Sequence, residues 1–235
     1  MDIRENIADL RRRIGEYARA AGREAGEITL IAAAKTRTPQ EINEVLAAGV
    51  TDIGENKVQE LLDKYEAVQS ADWHMIGHLQ RNKVKYIIDK VKLIHSVDSL
   101  RLAEEIDARA AQCGLVKDIL VQVNAAGEES KFGVAAQEAE ALVCEILDNC
   151  SHVRIRGFMG VAPAADDPED VRVYFRQVKA VFDAFRRSSH ERLDMQYLSM
   201  GMSHDFGAAI LEGANMVRVG TAIFGPRNYS QPQNF

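Results

Sequence analysis

The chain has 235 residues, 46% hydrophobic and 27% charged, with a net charge of −6. This is an ordinary globular composition, long enough for one large domain with a sizeable core. It gives no support to a nucleic-acid-binding surface, and no apolar stretch approaches membrane-spanning length.

Residues 2–22 are expected to form an amphipathic helix, because Ile3, Ile7, Leu10, Ile14 and Tyr17 recur at helical spacing. Its cluster Arg11-Arg12-Arg13 stands beside Asp2, Glu5, Asp9 and Glu16 and reads as a solvated face. Residues 28–34 are apolar and partly β-branched, the pattern of a buried strand. Thr38-Pro39-Gln40-Glu41 supplies an N-cap, a proline at the first helical position and an acidic first turn. The helix it starts runs to about Ala48, where Gly49 stops it. Further strands are expected at 51–54, 73–76, 93–97, 118–124, 153–159, 196–199 and 216–219. Helices over 58–70, 81–91, 99–113, 135–150, 168–188 and 206–213 separate them.

Strict alternation of strand and helix implies a parallel sheet with crossover helices. Eight such units fit a single closed (β/α)8 TIM barrel over residues 1–235, with an extra N-terminal helix. An open doubly wound sheet is the competitor, but no G-x-G-x-x-G follows the first strand. The Pro/Ala/Asp-rich loop 162–170 is too short to divide domains. Three cysteines, Cys113, Cys144 and Cys150, lack motif spacing and read as reduced packing thiols of a cytoplasmic protein. The charged start, residues 1–6, has no apolar segment of a secretory signal.

Barrel enzymes and binding proteins build their sites at the C-terminal ends of the strands. Those ends carry Lys35, Glu55-Asn56, Gly77-His78, Ser96 and Asp98, Asn124, Met159-Gly160, residues 199–203 and residues 218–221. The strand starts are expected mostly to lack such residues.

Lys35 closes an uncharged run that begins at Ile28. A lysine at the mouth of a buried strand either snorkels to water or is desolvated, and a desolvated amine is a nucleophile for a Schiff base. At the other end of the chain, Gly201 and Ser203 precede a helix, and Val219-Gly220-Thr221 offers a second glycine-bearing turn. Backbone N–H groups and hydroxyls so placed suit a phosphate dianion, and barrels often bind phosphate after strands seven and eight. Arg218 is expected to point inward from strand eight. It either pairs with a carboxylate such as Asp98 or Glu55, or donates to a ring nitrogen. An imine-forming lysine, a phosphate cup and a ring-nitrogen donor together describe pyridoxal 5′-phosphate (PLP).

On these residues the chain resembles the YggS/PROSC family of PLP-binding, PLP-homeostasis proteins along nearly its whole length. The matching stretches include residues 33–36, 54–56, 73–80, 123–124, 156–160, 198–203 and 217–221. The resemblance implies a fold-type III barrel related to the N-terminal domain of alanine racemase, with Lys35 carrying the cofactor. It implies that Ser203, Gly220 and Thr221 hold the phosphate and that Arg218 faces the pyridine nitrogen. Asn56, His78, Ser199 and Met200 would line the pocket. It further implies a carrier and buffer of the cofactor in vitamin B6 and amino-acid balance, with apo PLP-enzymes as recipients.

Little or no turnover is expected, and a monomer. Arginine at the pyridine nitrogen leaves it unprotonated and the ring a poorer electron sink. A racemase of this fold type brings a tyrosine from a second domain. The chain ends at Phe235 without room for that domain, and Tyr229 is a poor substitute. An amino-acid racemase-like enzyme is the alternative reading, and a cofactor-free aldolase using Lys35 is a third. His74 and His78 lie on a strand and its end rather than on adjacent helical turns, so no metal site is expected. Lys131 is open to three readings: a solvent lysine, a phosphate contact or a transient PLP acceptor. Lys57 and Lys83 read as surface charges. Met200 and Met202 read as packing against the ring or the core.

Overall fold

A computed structural model describes residues 2–68, 70–128 and 131–226. The first element is the amphipathic helix α1 (Ile3–Ala20), capped by the Asp2 side chain. The barrel strands are β1 (Thr29–Ala33), β2 (Asp52–Glu55), β3 (Asp72–Met75), β4 (Leu93–Val97), β5 (Lys117–Val123), β6 (Val153–Gly160), β7 (Leu193–Ser199) and β8 (Met216–Val219). They close in sequence order, all parallel, with β8 returning to β1. The eight-stranded barrel expected from the sequence is the observed fold.

The intervening helices are α2 (Pro39–Ala47), α3 (Val58–Tyr65), α4 (Leu100–Gln112), α5 (Ala139–Asn149), α6 (Arg172–Phe185) and α7 (Phe206–Leu211). A short helix α8 (Thr221–Phe224) follows β8 and was not foreseen. The proposed Thr38 cap is present as a capping box, with Thr38 and Glu41 exchanging bonds and Pro39 in the first turn. The helix expected over 81–91 is instead a 3-10 segment, Arg81–Tyr86. Its β-branched Val84, Ile87, Ile88 and Val91 are all buried, so they pack inward without needing regular α-helical turns.

Side chains alternate across each strand. Outward-facing Leu30, Ala32, Ile53, Trp73, Met75, Val217 and Val219 join the helices in the main core. Inward-facing Ile31, Leu93, Leu120, Met159 and Met216 form a second, smaller cluster, the apolar filling of the barrel. Other inward positions are polar, among them Asp52, His74, His95, Ser199 and Arg218.

Helix α1 is fastened to the barrel's outer shell. Asn6 donates to the Ile223 carbonyl at 2.8 Å. Arg11 donates to the carbonyls of Ala48 and Gly49, and Arg13 lies over the Phe206 ring. Arg11 and Arg12 are both exposed, as expected of a solvated face, with Arg12 paired to Asp9 and Glu16, whereas Arg13 is half-buried. Cys150 is buried, whereas Cys113 and Cys144 are exposed thiols, not packing residues.

Candidate cofactor site

Lys35 lies two residues beyond the end of β1, half-buried, in a turn. The Arg37 N–H closes this turn onto the Ala34 carbonyl at 3.0 Å. Thr36 carries the turn's left-handed residue, φ 63°, unusual for a β-branched side chain. Such strain persists only where the surroundings impose it. Here they do: Glu60 accepts the Thr36 N–H at 2.7 Å. On the other side, the Lys64 amine donates to the Ala34 carbonyl at 3.0 Å and to Glu55 at 2.6 Å. Lys64 also reaches Glu60 at 3.5 Å, so one buried lysine and two glutamates clamp both flanks of Lys35. Burial pushes the Glu55 carboxyl above its usual range despite the opposing charge of Lys64.

The end of β8 sits directly beside this turn. Ile31 pairs with Arg218 and Ala32 with Val219 in the sheet. A Cβ on Gly220 would stand 3.2 Å from the Ala33 carbonyl, so Gly220 passes close against the stem of the lysine turn. The Ser203 hydroxyl accepts the N–H groups of Gly220 at 3.2 Å and Ala222 at 3.3 Å. Amide donors and a hydroxyl thus converge at the start of α8, with exposed Thr221 at its first position. Gly201 permits the approach from β7: its φ is +89°, and a Cβ there would lie 2.8 Å from the Phe206 Cα. Asp205 accepts the Met202 N–H at 2.6 Å and holds the loop that carries Ser203.

Arg218 is buried, donating to the Ser199 hydroxyl at 2.7 Å and the Gly160 carbonyl at 3.0 Å. Neither carboxylate suggested as its partner is used that way. Glu55 pairs with Lys64, and Asp98 lies 3.9 Å from His78. Burial pushes the Arg218 guanidinium down to about 10, partly offset by Asp205, and it remains charged at neutral pH.

The other expected lining residues divide. Asn56 lies half-buried after β2, with Gly77 against its backbone: a Cβ on Gly77 would meet the Asn56 carbonyl at 2.3 Å. His78 is exposed at the rim, its ring stacked on Phe132 at 3.7 Å. Ser199 and Met200 are fully buried, Met200 within the main core. His74 and His78 do not meet: His74 lies in the barrel interior, bonded to Asp52 and His95. Lys131 pairs with Glu128 at 2.8 Å and borders two cavities on this mouth, of about 450 and 240 Å³. Met202 lines the larger cavity. Tyr229 lies outside the described residues.

One expectation fails outright. The strand starts do not lack polar groups. Asp52, Asp72, Lys92, Asp118, Arg154, Arg156 and Asp194 ring that mouth as ion pairs, among them Lys92–Asp72 at 2.6 Å and Arg154–Asp118 at 2.7 Å. Charge alone therefore does not mark the functional mouth. Sequence reasoning also passed over Lys64 and His95.

A cofactor with an aldehyde, a phosphate and a ring nitrogen would find an amine, converging amide donors and a fixed cation on adjoining strands. Comparison with known proteins agrees. The alanine racemase N-terminal domain family matches residues 3–228. The pyridoxal phosphate homeostasis protein of Aquifex aeolicus is 44% identical over 231 residues, covering 97% of this chain and 100% of that protein. That of Escherichia coli K12 is 37% identical over 238 residues, covering 98% and 99%. The structure of PipY from Synechococcus elongatus with PLP bound superposes with a TM-score of 0.81 at 31% identity, covering 95% of this chain and 100% of that one. The chain belongs to the pyridoxal phosphate homeostasis protein family, built on the alanine racemase N-terminal domain.

Proposed function

We propose that this chain binds pyridoxal 5′-phosphate and carries and buffers it, with Lys35 holding the cofactor as a Schiff base. The observation that carries the reading is the seating of Gly220 and the Ser203-centred amides against the stem of the Lys35 turn. Ser203, Gly220 and Thr221 hold the phosphate. Arg218 faces the pyridine nitrogen, where it can only donate. Asn56, His78, Ser199 and Met200 border the ring. The bound cofactor supplies an aldehyde for amines and a conjugated ring that delocalises charge.

Arginine at the ring nitrogen favours holding the cofactor over sustained chemistry. Transfer to apo PLP-enzymes follows from that role. The exposed free thiols Cys113 and Cys144 suit a reducing compartment, so we place the protein in the cytoplasm, as a monomer. Among the described residues no helix is long and apolar enough to cross a membrane.

Equilibrium binding of PLP and of pyridoxal tests the phosphate cup. Two or three charge-assisted bonds, about 1.5–3 kcal/mol each, predict at least a hundredfold preference for PLP. Equal affinities would overturn it. Incubation of the loaded protein with L- and D-amino acids in deuterated water tests the carrier role. Sustained exchange at Cα that vanishes in Lys35→Ala would make the chain a racemase-like enzyme instead.

A further inference from the structure

Five polar side chains form a continuous line through the barrel interior. The Asp52 carboxylate lies 3.0 Å from His74 Nε2. His74 Nδ1 lies 3.0 Å from His95 Nε2, and His95 Nδ1 lies 3.1 Å from the Ser199 hydroxyl. That hydroxyl accepts from Arg218 at 2.7 Å. The line runs from the strand-start mouth, at β2, through β3 and β4, to β7 and β8 beside the lysine turn. His74, His95 and Ser199 are at most 1% exposed, so each bond replaces one that water would have made.

Donor and acceptor capacity fixes its direction. Arg218 can only donate, and ionised Asp52 can only accept. Burial first, then the charges of His74 and Arg218, hold His95 well below 6.5, so its ring is neutral and has one donor and one acceptor. With His74 also neutral, a single arrangement satisfies every bond. Arg218 donates to Ser199, Ser199 to His95 Nδ1, His95 Nε2–H to His74 Nδ1, and His74 Nε2–H to Asp52. A second proton on His74 would occupy Nδ1 and reverse the middle of the line. His95 must then accept at Nε2 and donate from Nδ1 to Ser199. The serine hydroxyl, receiving from both Arg218 and His95, loses its acceptor on the histidine side.

We propose that Asp52, His74 and His95 are positioning residues for the ring-nitrogen end of the site. The proton count on His74 sets whether the Ser199 O–H is held by His95 or turned away from it, while Arg218 donates to the serine oxygen in both arrangements. The inference rests on the PLP reading only for what Arg218 faces; the polarity of the line does not depend on it. A small cavity of about 110 Å³ lies at the strand-start mouth, with Asp52, His74, Lys92, Asp118 and Tyr197 in its lining, so the outer end of the line borders it. The charged groups facing it there are Asp52, Lys92 with Asp72, and Asp118 with Arg154 and Arg156. On the inner side they are His95 and Arg218, with Asp205 acting on Arg218.

The test is ¹⁵N NMR of histidine-labelled protein without cofactor, titrated from alkaline to acidic pH. At alkaline pH both His74 and His95 should show a pyrrole-type Nε2 and a pyridine-type Nδ1. Wherever His74 carries protons on both ring nitrogens, His95 should show the Nδ1–H tautomer instead. A His95 that is Nδ1–H at alkaline pH, or whose tautomer ignores His74, overturns the proposal. The second arm follows the absorption spectrum of the PLP-loaded protein. A component with the same midpoint should appear in the native chain and be lost in Ser199→Ala; its persistence in Ser199→Ala overturns the link to the site. A chain that takes up no PLP sinks the cofactor reading and leaves the first arm to decide the inference.

Discussion

The two mouths of the barrel are both rich in polar groups but use them differently. At the strand starts, charges neutralise one another. Lys92 bridges Asp52 and Asp72, and Asp118 is shared by Arg154 and Arg156. At the strand ends, charge is spent on holding backbone in place. Lys64, held by Glu55, and Glu60 grip the peptide groups around Lys35, and Ser203 gathers amide N–H groups at the start of α8. A paired ionic ring contributes solubility and modest stability, whereas charges bonded to backbone in a strained turn fix where the Lys35 side chain stands. The difference between the mouths lies in what the charges hold, not in how many there are.

Four experiments probe that contrast, from the largest expected effect to the smallest. Lys64→Met strips Glu55 of its buried partner and should cost about 3–5 kcal/mol in urea unfolding at pH 8. The loss should shrink as pH falls, because Glu55, already shifted upward, then takes a proton. A cost below about 1 kcal/mol at pH 8 would mean that the clamp is not structural.

Acid should weaken the fold through His95. Its folded-state value lies below the 6.5 of an unperturbed ring, so the unfolded chain binds the extra proton first. Stability is then fully present above pH 6.5 and falls as pH drops below it, with a slope approaching about 1.4 kcal/mol per pH unit. Asp52, which His74 and Lys92 hold below its usual range against the cost of burial, and Glu41 act in a separate, more acidic window. Unfolding curves at half-unit pH steps would show the two windows; a flat profile from 7 to 5 would contradict the neutral, buried ring.

Ser203→Ala removes the hydroxyl on which two amides converge and should weaken PLP binding about tenfold while leaving the fold intact. An unchanged dissociation constant, measured by absorption titration, would move the phosphate elsewhere. Arg154→Gln at the opposite mouth should cost less than about 1 kcal/mol, since Arg156 retains Asp118, and should leave PLP affinity within about twofold. A larger effect on binding would break the division of labour between the mouths.

The barrel was legible because the alternation of β-branched runs and capped amphipathic segments is local, and eight repetitions leave few topologies. Lys35, Ser203 and Gly220 stood out as candidates because strand ends are where a barrel exposes chemistry, and the fold does bring the three to one mouth. The clamp and the histidine line were not. Lys64 stands in an ordinary helical pattern beside Asp63 and Tyr65, and nothing in that pattern shows that it reaches back 30 residues to Ala34. His95 sits inside an apolar run, with its partner Ser199 lying 104 residues away. Such partnerships follow from closure of the barrel, which brings β4 opposite β7 and β8. The strand-start ring was missed for a related reason: single charges near turns look like solvated punctuation until the strands align them.

The central claim is that Lys35 is the residue that holds the cofactor. Borohydride reduction of the PLP-loaded protein, followed by peptide mapping, tests it most directly. The account predicts the pyridoxyl group on Lys35, and none in Lys35→Ala at matched loading. A label found chiefly on Lys131 or another lysine would contradict it.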